Sequence, residues 1–240
     1  MPSPTAPPRG LAVVDVEASG RVPWRHRVVE VGVVLLDYPL LRVVGEFSTL
    51  VDPGGPVGPS EVHGIAQPDV VGAPSFRELA PQLLTLLRGR LLVGHHVRCD
   101  QEFIRREFAR TGTVLPDAPS LCTMALADRV LGLGPRSLGA CCEAAGFPLV
   151  DAHTALGDAR AAAELLRRCL ATPEGGAVAL GRLVGAAAGV PWPRPARGTG
   201  RTVPAAARAT PRPGARPALR PGVPAAAAAA TRARVLTGCA

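Results

Sequence analysis

The chain has no lysine and few aromatic residues. All 27 of its basic residues are arginines, and only 3% of its 240 residues are Phe, Trp or Tyr. Many proteins that bind single strands without sequence preference stack successive bases on aromatic side chains. The shortage of aromatics therefore argues against a binder that depends on a long stacking surface.

Disulfide, zinc and membrane patterns are also missing. The six cysteines show no CxxC spacing, and residues 1–10 do not resemble a signal peptide. We therefore expect reduced, packed thiols in a cytoplasmic protein. The longest apolar stretch, at 83–93, is interrupted by Arg88 and Arg90, so the sequence predicts no membrane span.

Acidic residues stop at Glu174. From Gly175 onward there are 10 arginines and no acid, whereas residues 1–174 hold 17 arginines against all 19 Asp and Glu. The C-terminal part is rich in Ala, Pro, Gly and Arg and can bury little apolar surface, so we expect a disordered tail over 173–240 after a domain at 9–172. Residues 176–189 have the pattern of a weak helix. The tail either contacts phosphates nonspecifically or has no specific role.

Within the predicted domain, strand and helix patterns alternate. Strands are predicted at 11–16, 28–36, 41–51 and 91–96, and helices at 76–88, 99–110, 121–131, 137–145 and 154–171. Ser75 and Glu78 have the spacing of a capping box, which marks the start of the first helix. Three consecutive strands followed by a strand between helices predict one α/β domain with a mixed sheet.

Two acids interrupt an apolar strand pattern in LAVVDVEASG, residues 11–20. Side chains at i and i+2 of a strand point to the same face, so Asp15 and Glu17 share a face with Leu11 and Val13. Two like charges on a buried face repel each other and resist removal from water. We therefore expect a compensating group, and a hard cation is the obvious candidate.

Two aspartates occupy inward positions on predicted helices. Asp100 has apolar residues at i+3 and i+4, and Asp158 heads an otherwise apolar helical stripe. Taken singly, each could be a helix N-terminal acid that the helix dipole favours. Taken with Asp15 and Glu17, they predict four carboxylates at one place, which suits two Mg²⁺ or Mn²⁺ ions that act on a phosphodiester.

A general base is predicted at His153, five residues before Asp158. An imidazole can take a proton from a water near neutral pH. A single histidine in front of a helix is more often a surface or capping residue. Its fixed distance in sequence from Asp158 favours the catalytic interpretation.

Four segments resemble, in order and spacing, the DEDDh or DnaQ-like 3′–5′ exonucleases, a family that includes proofreading subunits of bacterial DNA polymerase III. The segments are VVDVEASG, EVHGIAQPDVVGAPSF, LLVGHHVRCDQEFI and HTALGDARAAAELL, within residues 9–171. The resemblance implies an RNase H-like fold, with a mixed five-stranded sheet flanked by helices. It also implies that Asp15, Glu17, Asp100 and Asp158 are metal ligands and that His153 is the base.

The substrate-binding residues implied by the resemblance are Ala18, Ser19, His63, Ile65 and His96. His63 and Ile65 belong to a segment that lines the substrate groove in the family, although a plain loop histidine is an equal alternative for His63. The family commonly has Thr-Thr or Thr-Ser at 18–19, His-Asn at 95–96, and an aromatic residue at the position of Cys99. His96 is either a substitute polar contact or a packed histidine.

The sequence is compatible with three functions. The first is a two-metal-ion 3′–5′ exonuclease that releases nucleoside 5′-monophosphates from single-stranded or frayed DNA in proofreading or repair, with a DNA polymerase subunit as a candidate partner. The second acts on RNA 3′ ends and must accept a 2′-hydroxyl. The third is a non-catalytic polymerase accessory module, although such a module has no need for buried charges.

Overall fold

Five strands form one mixed sheet in the computed structural model, which describes residues 10–134, 136–175 and 177–194. The strands are β1 (Gly10–Ala18), β2 (Val28–Asp37), β3 (Val43–Leu50), β4 (Leu91–Gly94) and β5 (Ser120–Cys122). Their order is β3-β2-β1-β4-β5, with β1–β2 and β2–β3 antiparallel and β1–β4 and β4–β5 parallel. The predicted five-stranded mixed sheet is confirmed.

Helices follow and flank the strands. They are α1 (Ser60–His63), α2 (Phe76–Leu87), α3 (Val97–Arg110), α4 (Thr123–Leu131), α5 (Leu138–Ala144), α6 (Ala155–Leu170) and α7 (Ala177–Ala188), with short 3-10 turns at Gln67–Val70 and Pro173–Gly175. The predicted capping box starts α2, because Glu78 accepts a hydrogen bond from the Ser75 backbone N–H and the Ser75 hydroxyl accepts one from the Glu78 N–H.

Alternating residues of β1 face two apolar layers. Ala12 and Val14 pack with α2 and α3, whereas Leu11 and Val13 pack with α4, α6 and α7. This alternation is the ordinary consequence of strand geometry. It places the odd-numbered positions of β1, which include the two acids, on the α6 side.

The helix α7 packs on the sheet beyond the predicted domain end at residue 172. Leu180, Val184 and Ala187 are buried in the α6 layer, and Trp192 is buried in the opposite layer. The composition predicts a disordered tail here, but residues 177–194 are ordered against the rest of the domain. The domain bounds stay a prediction, and residues 195–240 lie outside the described part of the chain.

Four cysteines, Cys122, Cys141, Cys142 and Cys169, have free thiols. Cys99 is not one of the free thiols, so the prediction of reduced thiols does not hold there. Cys239 lies outside the described residues.

Within the described ranges, every helix is too short or too polar to cross a lipid bilayer.

Candidate active site

Three carboxylates meet between β1 and the first turn of α6. One oxygen each of Asp15, Glu17 and Asp158 lies within 4.8 Å of the others. Asp15 and Glu17 lie near the C-terminal end of β1, and Asp158 lies in the first turn of α6. Thr154 starts this helix, because its hydroxyl accepts a hydrogen bond from the Gly157 N–H at 3.1 Å. The predicted convergence of these three acids is therefore present.

Asp100 lies beside this cluster, at the start of α3. Its side chain is 7% exposed, and its carboxylate accepts a hydrogen bond from the Val16 N–H at 3.3 Å. Asp100 is outside the group of three mutually close oxygens. Its charge nevertheless raises the pKa values of Asp15 and Glu17, so the fourth predicted acid acts on the same site electrostatically.

The four acids share a cause for their altered pKa values. Burial is the largest contribution in each case and raises the pKa of every one of them, and the other carboxylates raise it further. The pKa of Asp100 is raised to about 8 and that of Asp158 to about 6. Clustered carboxyls that resist ionisation in this way are a poor arrangement for stability and a suitable one for a bound cation.

The donor set fits divalent cations. The Oδ1 atom of Asp158 is buried and has no hydrogen-bond partner, although buried carboxylate oxygens are ordinarily satisfied. Hard cations such as Mg²⁺ and Mn²⁺ take oxygen ligands, chiefly carboxylates and water. Asp15, Glu17 and Asp158, with Asp100 beside them, supply such ligands.

His153 lies on the loop that enters α6. Its side chain is exposed, and its backbone has a left-handed conformation with φ of 66°. A backbone hydrogen bond from His153 lowers the pKa of Asp158 and opposes the effect of burial. The predicted base is therefore connected to a predicted ligand through the main chain.

A fifth acid, Glu30, was missed by the sequence analysis. It is only 6% exposed and lies on β2 opposite Glu17 in the register of the sheet. Its charge contributes to raising the pKa values of Asp15, Glu17 and Asp158. The available signal was an acid inside the apolar stretch VVEVGVVLL, the same kind of signal that identified Asp15.

Comparison with known proteins identifies the fold and the chemistry. The chain matches the RNase_T family, described as exonuclease, over residues 12–166. It belongs to this exonuclease family. Members depend on divalent metal ions, which agrees with the carboxylate cluster of this exonuclease.

The curated relatives include subunits and forms of DNA polymerase III. The exonuclease is 33% identical over 163 residues to the DNA polymerase III subunit epsilon of Aquifex aeolicus, which covers 67% of this chain and 80% of that protein. It is 35% identical over 167 residues to an epsilon-like protein of Rhodobacter capsulatus, covering 67% of this chain and 23% of the relative. The PolC-type polymerase III of Thermotoga maritima is 30% identical over 160 residues, which are 66% of this chain and 12% of that polymerase.

Solved structures agree with the fold. The zinc-bound complex of E. coli exonuclease I with single-stranded DNA has a TM-score of 0.62 and 17% identity, and covers 71% of this chain and 42% of that chain. The product-bound structure of exonuclease I has a TM-score of 0.58 and 17% identity, and covers 74% of this chain and 45% of that one.

The predicted substrate-binding residues of this exonuclease fall into two groups. Ala18 ends β1, Ser19 follows it, and His96 precedes α3, so these three lie at the ends of the elements that carry the acids. The Ser19 hydroxyl accepts a hydrogen bond from the Arg27 N–H at 3.0 Å, which closes the loop between β1 and β2. His96 has a left-handed backbone with φ of 68°.

Ile65 belongs instead to a small apolar cluster with Val29, Val57 and Val70, and His63 hydrogen-bonds to two residues of that cluster. Both side chains are buried. The His63 ring donates from Nε2 to the Val57 carbonyl and accepts at Nδ1 from the Ile65 N–H, each at 3.1 Å. These contacts stabilise the loop after β3, and the substrate role of the pair stays a prediction.

Proposed function

We propose that this exonuclease hydrolyses phosphodiester bonds at the 3′ ends of single-stranded or frayed DNA with Mg²⁺ or Mn²⁺ and releases nucleoside 5′-monophosphates in proofreading or repair. The observation that carries the proposal is the convergence of Asp15, Glu17 and Asp158 within 4.8 Å. DNA is favoured because the Aquifex aeolicus relative is a DNA polymerase III subunit and exonuclease I binds single-stranded DNA. A polymerase partner is proposed on the first of these grounds, and the cytoplasmic location stays a prediction.

In the proposed mechanism the four predicted ligands share the task of holding the metal ions. Asp15, Glu17 and Asp158 would hold divalent cations, with Asp100 as the fourth carboxylate of the set. When bound, such cations would supply positive charge for the scissile phosphate and lower the pKa of the attacking water. His153 is exposed on its loop, where its imidazole would accept the proton of that water near neutral pH.

The buried charges also bear on the accessory-module alternative. Each acid of the cluster has a pKa raised by burial and by its neighbours, so the metal-free cluster opposes folding. A module that only binds a polymerase would be more stable with amides or apolar residues at these positions. In the catalytic proposal the charged carboxylates are needed as metal ligands.

The test is a 3′-end degradation assay on 5′-labelled single-stranded DNA and RNA of the same sequence, with Mg²⁺, Mn²⁺ or EDTA. We expect the labelled DNA strand to shorten from its 3′ end with either metal, and to stay intact in EDTA or with Asp15→Ala, which removes one of the clustered carboxylates. Asp117→Ala, at a position between α3 and β5 whose side chain is 98% exposed, is the matched control and should retain activity.

The outcomes separate the three functions. Faster cleavage of RNA would replace the DNA substrate by RNA 3′ ends. Full activity of Asp15→Ala would contradict the assignment of the cluster as the metal site. Binding of DNA without cleavage by the wild-type chain would favour the accessory module.

A further inference from the structure

The buried acid Glu30 contacts the start of the helix that carries Asp158. Its Oε2 atom accepts a hydrogen bond from the Ala155 N–H at 3.2 Å. The first N–H groups of a helix have no partner within the helix, so this carboxylate satisfies one of them. Thr154 satisfies another, through the Gly157 N–H. The N-terminus of α6 is therefore fixed by two side chains, Glu30 of the sheet and the helix's own cap residue, Thr154.

Gly32 provides a second, independent contact at the same place. A Cβ atom on Gly32 would overlap the backbone of Ala155 and Leu156. The first turn of α6 therefore lies directly on the main chain of β2, at a distance that only glycine permits. Glu30 and Gly32 are two residues apart, so both act from the same face of the strand.

The sheet register puts these contacts beside the catalytic acids. Gly32 is the cross-strand partner of Asp15, and Glu30 is the partner of Glu17. The first turn of α6 thus rests on the strand that neighbours Asp15 and Glu17, and Asp158 extends from that same turn. A shift of the helix start would move Asp158 relative to the two β1 acids.

We propose that Glu30 and Gly32 are positioning residues that hold the start of α6 on β2 and so place Asp158 against Asp15 and Glu17. Glu30 acts through its hydrogen bond to Ala155 and is not itself a metal ligand. This proposal rests on the proposed metal-dependent function. It adds two residues of β2 to a site whose predicted ligands lie on β1, α3 and α6.

A role of Glu30 in stability alone does not account for its presence. A buried carboxylate next to three others is costly, and an apolar residue of similar size would avoid that repulsion. The contact it makes with α6 is local, at the Ala155 N–H of the first turn. What the contact controls is the place of the first helical turn, where Asp158 lies.

The experiment measures Mn²⁺ binding to the full chain by isothermal titration calorimetry, independently of cleavage. We expect Glu30→Ala to weaken Mn²⁺ binding about tenfold or more, as is usual when a group that orients a metal ligand is removed. Glu30→Gln keeps an oxygen acceptor for the Ala155 N–H and should remain within about threefold of the wild type. Gly32→Ala, which pushes the helix start away, should weaken binding in the same direction as Glu30→Ala.

Glu46→Gln is the matched control. Glu46 on β3 also joins the sheet to α6, through an exposed ion pair with Arg160 at 2.6 Å, but away from the helix start. Its substitution should leave Mn²⁺ binding unchanged.

Equal weakening in Glu30→Gln and Glu30→Ala would overturn the proposal, because it would mean that the charge itself acts on the metal. Unchanged binding in Glu30→Ala would overturn it as well. If Glu30→Ala does not fold, Glu30→Gln and Gly32→Ala decide by the same comparison. A wild-type chain that binds Mn²⁺ but cleaves no nucleic acid would contradict the proposed function and leave the positioning role standing.

Discussion

Replacing Asp100 by Asn is expected to stabilise the metal-free protein at neutral pH. Burial raises the pKa of the Asp100 carboxyl to about 8, the charge of Asp158 adds to the effect, and the hydrogen bond from the Val16 N–H opposes it. The folded-state pKa therefore lies above the unfolded value, and the folded state binds the proton more tightly. The resulting stability is fully present below about pH 4 and is lost as the pH rises towards about 8.

The size of the effect follows from that difference in pKa. At about 1.4 kcal/mol for each pH unit, the wild-type chain is less stable near pH 7 than near pH 4 by up to about 4 kcal/mol from Asp100 alone. Asn has no proton to lose, and its side-chain oxygen can still accept from the Val16 N–H. Asp100→Asn should therefore exceed the wild type by up to about 4 kcal/mol near pH 7, or about 8–16 °C in Tm for a chain of this size.

The assay is thermal unfolding followed by circular dichroism in EDTA between about pH 4 and about pH 8.5. Asp117→Asn is the control, because the Asp117 side chain is 98% exposed. Adding Mg²⁺ or Mn²⁺ should stabilise the wild type most at high pH, where the carboxylates are charged, and should stabilise Asp100→Asn less. A wild-type Tm that is flat or rises across this range in EDTA, or a variant no more stable than the wild type near pH 7, would refute the reasoning.

Three further outcomes are expected. A chain ending at residue 172 should melt at a lower temperature than one ending at residue 194, because it loses the buried side chains of α7 and Trp192, each worth about 1–3 kcal/mol. Glu107→Ala should lower the free energy of unfolding in urea by about 2–3 kcal/mol, because the 1% exposed Glu107 pairs with Arg27 at 2.7 Å and accepts from the Val28 N–H. Removing residues 195–240, with their eight arginines, should reduce the salt dependence of DNA binding in a fluorescence-polarisation titration.

Local patterns were sufficient for most of the fold and for the central acids. The i and i+2 spacing put Asp15 and Glu17 on one face of β1, and the capping box of Ser75 and Glu78 marked the start of α2. The sequence pattern did not predict β5, because its three residues are too few for a strand pattern and lie directly before a helix. α7 looked weak because its sequence is rich in Ala and Gly, and its burial comes from contacts with distant elements.

Glu30 illustrates a different limit. The sequence shows an acid in an apolar strand, but it does not show which strand lies opposite or which helix lies above. Glu30 pairs with Glu17, which is 13 positions away in the sequence, and its hydrogen bond reaches Ala155, which is 125 positions away. Only the register of the sheet and the packing of α6 turn a single unusual residue into part of the site.

The alanine-rich composition of α6 can likewise be interpreted only from the packing of the helix. The stretch ARAAAE looks like simple alanine bias in the sequence, yet Ala159, Ala161, Ala162 and Ala163 are all buried in the structure. Side chains this small let the helix axis approach the sheet closely, and Gly32 permits the closest approach at the helix start. Larger residues would lift α6 and take Asp158 away from Asp15 and Glu17. Since the carboxylates repel each other, the close packing of α6 on the sheet is what keeps them together.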